Sequence, residues 1–135
     1  MKEASGDLSQ VAEVARLTRG RLALYSGNDD QVLPIMSLGG RGVISVLANV
    51  APRAVSRMVS AYLDGETAEA TSLQLRYLPL VQALFVESNP IPVKAAVGIL
   101  GYRVGGMRLP LTEATSATRE QLGAALRDLG IAIHA

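Results

Sequence analysis

Lys2 and Lys94 are the only side-chain lysine amines in this 135-residue chain, and an amine is the group that forms a covalent imine with a ketone. Near neutral pH it does so only where burial or a neighbouring positive charge lowers its pKa. Lys94 falls in an expected helix and reads as structural, while Lys2, judged by residue type alone, is solvated like most lysines. Asp29 and Asp30 resemble a paired-carboxylate site. Adjacent acids in a loop, however, are more often a solvated helix entry. Gly39-Gly40-Arg41-Gly42 lacks the Lys-Ser/Thr ending of a phosphate loop and precedes an expected strand, so it reads as a turn. Cysteine is absent and His134 is the single histidine. Thiolate chemistry and a cluster of soft metal ligands are therefore not expected, and no metal or cofactor is assigned. Tyr25, Tyr62, Tyr77 and Tyr102 read as packing residues.

Several elements must position these groups. Leu8, Val11 and Ala15 share a helical face, and Asp7 with Gln10 fits a variant capping box, which predicts a helix from Leu8 to Thr18. Leu22-Ala23-Leu24-Tyr25 reads as a short buried strand closed by the Ser26-Gly27-Asn28-Asp29 turn. A helical pattern follows from Asp30 to Leu38, with Pro34 in its first turn. Gly42 to Leu47 is β-branched and apolar on both faces, as a central parallel strand would be. Pro52 opens a helix carrying Val55, Met58, Val59 and Tyr62, which Gly65 stops. Glu66 to Phe85 is helical, with Pro79 predicted to kink or divide it. Further helices are predicted from Pro92 to Leu100 and from about Thr118 to Leu129, separated by a loop over Gly105 to Glu113. Strands thus alternate with helices early, and only helices follow.

With 49% hydrophobic residues and a formal charge of +1, the chain has the makeup of a globular domain. Only 4% of residues are aromatic, so the core must rest on Leu, Val, Ile and Ala. There is no basic stripe interleaved with aromatic rings, which argues against nucleic-acid binding. The opening MKEASGDLSQ lacks the apolar run of a signal peptide, and no stretch approaches the length of a membrane span. A soluble, cytoplasmic protein is the expectation.

Four segments together are more specific than this pattern. They are Lys2-Glu3-Ala4-Ser5-Gly6-Asp7, Ser26-Gly27-Asn28-Asp29, Gly39-Gly40-Arg41-Gly42-Val43-Ile44-Ser45-Val46 through Asn49-Val50-Ala51-Pro52, and Phe85-Val86-Glu87-Ser88-Asn89-Pro90-Ile91-Pro92-Val93-Lys94. Their order and spacing resemble the dihydrodipicolinate synthases, class I Schiff-base aldolases, and Arg108-Leu109-Pro110-Leu111-Thr112 extends the likeness. Where that family carries two aspartates after the glycine, this chain has Asn28 before Asp29.

The resemblance implies an α/β fold, a partial (β/α)8 barrel in which residues 1–64 supply the end of strand six and strands seven and eight with their helices, and residues 65–135 form a C-terminal helical region. A whole barrel takes roughly 250 residues. The resemblance makes Lys2 the nucleophile that forms an imine with pyruvate, whose enamine attacks aspartate semialdehyde in lysine biosynthesis. Gly27 would let a ligand approach the backbone, and Ile44 would turn its carbonyl toward the imine. Without the family likeness, Gly27 is equally a turn residue and Ile44 equally a core residue. The family's threonine and tyrosine proton relay and its carboxylate-binding arginine belong to strands that precede the lysine, so the chain alone is expected to be inactive. The partners this implies are pyruvate at a completed site, and either further copies of the chain or the N-terminal half that completes it.

Overall fold

The computed structural model describes residues 1–133. His134 and the end of the 65–135 region lie outside the described residues. The elements run in the order β1 (Lys2–Glu3), α1 (Leu8–Thr18), β2 (Tyr25–Ser26), α2 (Val32–Ser37), α3 (Pro52–Leu63), α4 (Thr67–Leu84), α5 (Ile91–Ile99) and α6 (Ser116–Asp128), with 3-10 turns at Asp29–Gln31 and Leu47–Asn49.

Helix α1 spans the residues its periodicity predicts, and the Asp7 carboxylate accepts hydrogen bonds from the amides of Ser9 and Gln10. The reciprocal half of the capping box is replaced. The Asp7 amide donates to Ser5 Oγ, while the Gln10 side chain reaches Glu3 instead. At the end of α2, Gly39 takes a φ of 92° and its amide donates to the Met36 carbonyl. The Gly40 amide closes back on the Ile35 carbonyl at 3.0 Å. A Cβ on Gly40 would stand 2.7 Å from that oxygen, so the turn admits only glycine without rearrangement. Helix α4 continues through Pro79 undivided. The carbonyl that Pro79 cannot satisfy belongs to Leu75, an exposed residue, and buried positions on both sides of the proline hold the helix together.

The extended segments are shorter than expected. β1 and β2 pair in parallel, with Lys2 opposite Tyr25 and Glu3 opposite Ser26. The predicted Leu22–Tyr25 strand thus shifts to Tyr25–Ser26, because the chain around Leu22 is still leaving α1 and that side chain is 50% exposed. The predicted Gly42–Leu47 strand contracts to one parallel bridge, Ser26 to Val43. Past Ile44 the amides of Val46 and Leu47 turn to the Asp29 carboxylate. Amides given to that carboxylate cannot donate into a ladder with β2, so the pairing ends there. The result is a mostly helical chain with a small open parallel sheet.

The core is aliphatic. Its largest cluster joins Leu47, Val50 and Val55 to Leu80, Leu84, Leu122 and Leu126, so residues on both sides of position 64 pack together. A second cluster sets Val32 and Met36 of α2 against Met58 and Ala61 of α3 and Ala70 of α4. On the surface, Arg57 of α3 grips Glu66 and Glu69 at the α3–α4 corner. No helix among the described residues is long and apolar enough to cross a membrane.

Candidate functional site

Successive residues of a strand face opposite sides of a sheet. Glu3 (4% exposed) and Ser26 (fully buried) point toward the helices, and Val43 packs on the same core. Lys2, Gly27 and Ile44 therefore share the opposite face, which is open: Lys2 is exposed and Ile44 is 53% exposed.

Backbone hydrogen bonds hold β1 along its β2 edge. The Tyr25 amide donates to the Met1 carbonyl at 2.9 Å, and the Gly27 amide to the Glu3 carbonyl at 2.6 Å. The Met1 amino group donates to the Ala23 carbonyl at 2.6 Å. Lys2 is thus fixed on one side by a paired strand. Its neighbour Glu3 is anchored by the Ser5 amide at 2.6 Å and by Gln10 Nε2. Hydrogen bonds from the Ser5 hydroxyl and amide hold the Glu3 carboxyl below its ordinary range despite burial.

Lys2 and Gly27 meet directly. A Cβ at position 27 would lie 2.6 Å from Lys2 Cε and 2.5 Å from Ala4 Cβ. Glycine here leaves the space that the lysine side chain crosses. Ile44 joins the same face through the next strand segment, its amide donating to the Ser26 carbonyl at 2.8 Å. At the rim, Ala4, Ser5, Asn28, Asp30, Gln31 and Phe85 line a cleft of about 380 Å³. Lys94, by contrast, lies in α5 and donates to the Gly106 carbonyl at 2.7 Å, tying down the loop that leads to α6.

Asp29 departs from the solvated helix entry suggested by its sequence context. It is 2% exposed, and its carboxylate accepts from the Val46 amide at 2.8 Å, the Leu47 amide at 3.0 Å and the Ser45 hydroxyl. Its backbone carbonyl accepts from Gln74 Nε2 at 2.8 Å. Asp30 is exposed, so the two acids do not act as a matched pair. No local pattern signals these contacts, because Asp29 and Gln74 find partners far along the chain. Glu87 is a second such residue. Its carboxylate accepts from the Thr115 amide and from the hydroxyls of Thr115 and Thr118, at the start of α6. Those donors, the Thr118 hydroxyl first, hold its carboxyl below the ordinary range. Among the described residues no three His, Cys, Asp or Glu side chains converge as metal ligands.

The chain spans less than half the length of the curated relatives it matches. It is 52% identical over 131 residues to the 4-hydroxy-tetrahydrodipicolinate synthase of a Thermoanaerobacter species, covering 97% of this chain and 44% of that protein. With the enzyme of the same name from Caldicellulosiruptor bescii it is 53% identical over 133 residues, covering 98% and 45%. In three dimensions it is similar to the dihydrodipicolinate synthase of Cyanidioschyzon merolae, crystallised with lysine bound. The TM-score is 0.91 at 45% identity, across 97% of this chain and 44% of that one. The family model described as the dihydrodipicolinate synthetase family matches residues 1–129. That match, over all but the last six residues, makes this protein a member of the dihydrodipicolinate synthetase family.

Proposed function

We propose that this chain carries the imine-forming half of a pyruvate-dependent aldolase site, the family reaction being condensation of pyruvate with aspartate semialdehyde. Lys2 is the nucleophile, Gly27 admits pyruvate close to the backbone, and Ile44 turns a strand carbonyl toward the imine. The observation that carries this reading is the contact of the Lys2 side chain with the space left by Gly27. Imine formation removes the ketone oxygen as water and needs a neutral amine at the start. Lys2 lies on an open face, so the burial that favours a neutral amine must come from whatever covers that face.

The chain alone does not complete the reaction, because the resemblance assigns the family's proton relay and carboxylate-binding arginine to strands that precede the lysine. Borohydride reduction in the presence of pyruvate tests this, using the chain alone and the chain mixed with the N-terminal half of the Caldicellulosiruptor bescii relative. The expected result is a mass increase at Lys2 in the mixture and none with the chain alone. No adduct in the mixture would sink the aldolase reading, and an adduct on the chain alone would overturn the need for completion.

A second reading is favoured by the 53% exposure of Ile44 on the sheet face. Copies of this chain, or a separate N-terminal partner, cover that face, either to complete the barrel or as a non-catalytic interaction module. Light scattering that finds only monomer at all concentrations would exclude self-association as the cover.

A further inference from the structure

Asp29 sits two residues past Gly27, and the three groups its carboxylate receives lie one to three residues past Ile44. One buried side chain therefore fastens the loop that carries Gly27 to the segment that carries Ile44. Ser45 extends the fastening, since its hydroxyl accepts from the Ala48 amide at 2.8 Å while donating to Asp29. The loop is held from behind as well. Gln74, in the middle of α4 and 8% exposed, donates to the Asp29 carbonyl and accepts from the Leu33 amide at 3.5 Å.

We propose that Asp29, backed by Gln74, is a positioning residue that fixes Gly27 and Ile44 relative to Lys2, so that the helical region sets the geometry of the imine pocket. The proposal rests on the Schiff-base reading above for its catalytic meaning, but its geometry stands on these hydrogen bonds alone. Among the described residues no other side chain joins the two strand ends in this way: the main-chain bridge stops at Ile44, and beyond it the Val46 and Leu47 amides have the Asp29 carboxylate as their acceptor. A carboxylate that gathers two amides and a hydroxyl makes stronger bonds than neutral acceptors would. A small misplacement of reacting groups is costly to rate, which gives such a fastening its value.

The alternative is a purely structural cap on the Leu47–Asn49 turn. The two are separated by comparing Asp29→Ala, Asp29→Asn and Gln74→Leu with the unaltered chain by amide hydrogen exchange and by the nuclear Overhauser cross-peak between the Lys2 ε-methylene and the Gly27 α-protons. Asp29→Ala is expected to speed exchange at Ile44, Val46 and Leu47 about tenfold or more, to shift the Gly27 amide resonance and to abolish the cross-peak, with α6 exchange unchanged. Asparagine keeps an oxygen where the two amides converge, so Asp29→Asn is expected to restore the cross-peak. Gln74→Leu is expected to weaken the cross-peak without abolishing it.

If Asp29→Ala leaves the Lys2 to Gly27 cross-peak intact while exchange at Val46 and Leu47 quickens, Asp29 is only a turn cap and the proposal is overturned. Equal acceleration in α6 and at residues 44–47 also overturns it, because the effect is then global. Failure of pyruvate trapping at Lys2 bears on the aldolase reading separately, since none of these readouts requires pyruvate.

Discussion

The strand tips and the helices of this chain are held together by different chemistry. From Pro52 to Asp128 four helices meet through aliphatic side chains, and the largest cluster draws Leu80, Leu84, Leu122 and Leu126 together with Leu47 and Val55. From Met1 to Leu47 the extended segments meet through backbone amides and one buried carboxylate, Asp29. Apolar contacts are undirected and shared among many neighbours, so their loss spreads. Hydrogen bonds are directed and few, so their loss stays near the site. The region proposed for chemistry is the one built from directed contacts, which set positions more sharply than greasy ones do.

The largest expected effect tests the shared core. Leu122→Ala removes a fully buried side chain and should cost about 2–5 kcal/mol in denaturant unfolding, with a single transition. Amides on both sides of residue 64 should lose protection together. If Ser26 and Ile44 stay protected while α6 exchanges freely, the two regions are separate units and the shared-core picture fails. Gly27→Ala tests the other region. The added Cβ would overlap Lys2 Cε and Ala4 Cβ, with a cost of roughly 1–3 kcal/mol for overpacking. Its signature is centred on the site: the Lys2 side chain moves, and the amides around Glu3 and Ser26 lose more protection than those of α3–α6. A variant that moves neither Lys2 nor Ala4 resonances would show that the glycine is only a turn residue.

The same division explains what the sequence could and could not reveal. Helix α1 was legible from Leu8 to Thr18 because its cap and periodicity lie within the segment itself. Pro52 at the first position marked α3 for the same reason. The Gly42–Leu47 run has every residue type of a central strand, yet strand length depends on partners, and here Val46 and Leu47 bond to a side chain instead. Asp29 looked like a solvated acid because its donors lie 16 to 18 residues away, and Gln74 spans 45 residues to reach its carbonyl. The motifs named Lys2, Gly27 and Ile44. Their common face follows from strand register, which no residue type encodes.

A smaller effect concerns Glu87, which links the α4–α5 loop to the start of α6 through Thr115 and Thr118. Its carboxyl titrates lower in the folded chain than in the unfolded one. The ionised form is therefore favoured by folding: its contribution is fully present above the unfolded glutamate pKa and is lost as pH falls through the lower folded value. Glu87→Gln should flatten the acid limb of the stability profile in that window and leave stability near neutral pH only slightly lower. An acid limb unchanged by the substitution would show that the Thr115 and Thr118 donors do not favour the ionised form.

The smallest effect separates exposed charge from buried charge, and so sharpens the contrast between Arg57 and Asp29. Arg57 pairs with Glu66 and Glu69 on the surface, and its guanidinium is held protonated more firmly than usual, chiefly by its hydrogen bonds to Glu69. Water and salt screen such pairs, and ordering three long side chains offsets much of their attraction. Arg57→Met should thus shift the unfolding midpoint little at low salt and not at all at high salt, leaving the Lys2 to Gly27 contact intact. Asp29→Ala should disturb that contact at both ionic strengths, because its hydrogen bonds are shielded from solvent. If the Arg57 variant proved the more damaging of the two at high salt, the α3–α4 corner would owe its hold to charge, and the division between greasy helices and polar strand tips would have to be redrawn.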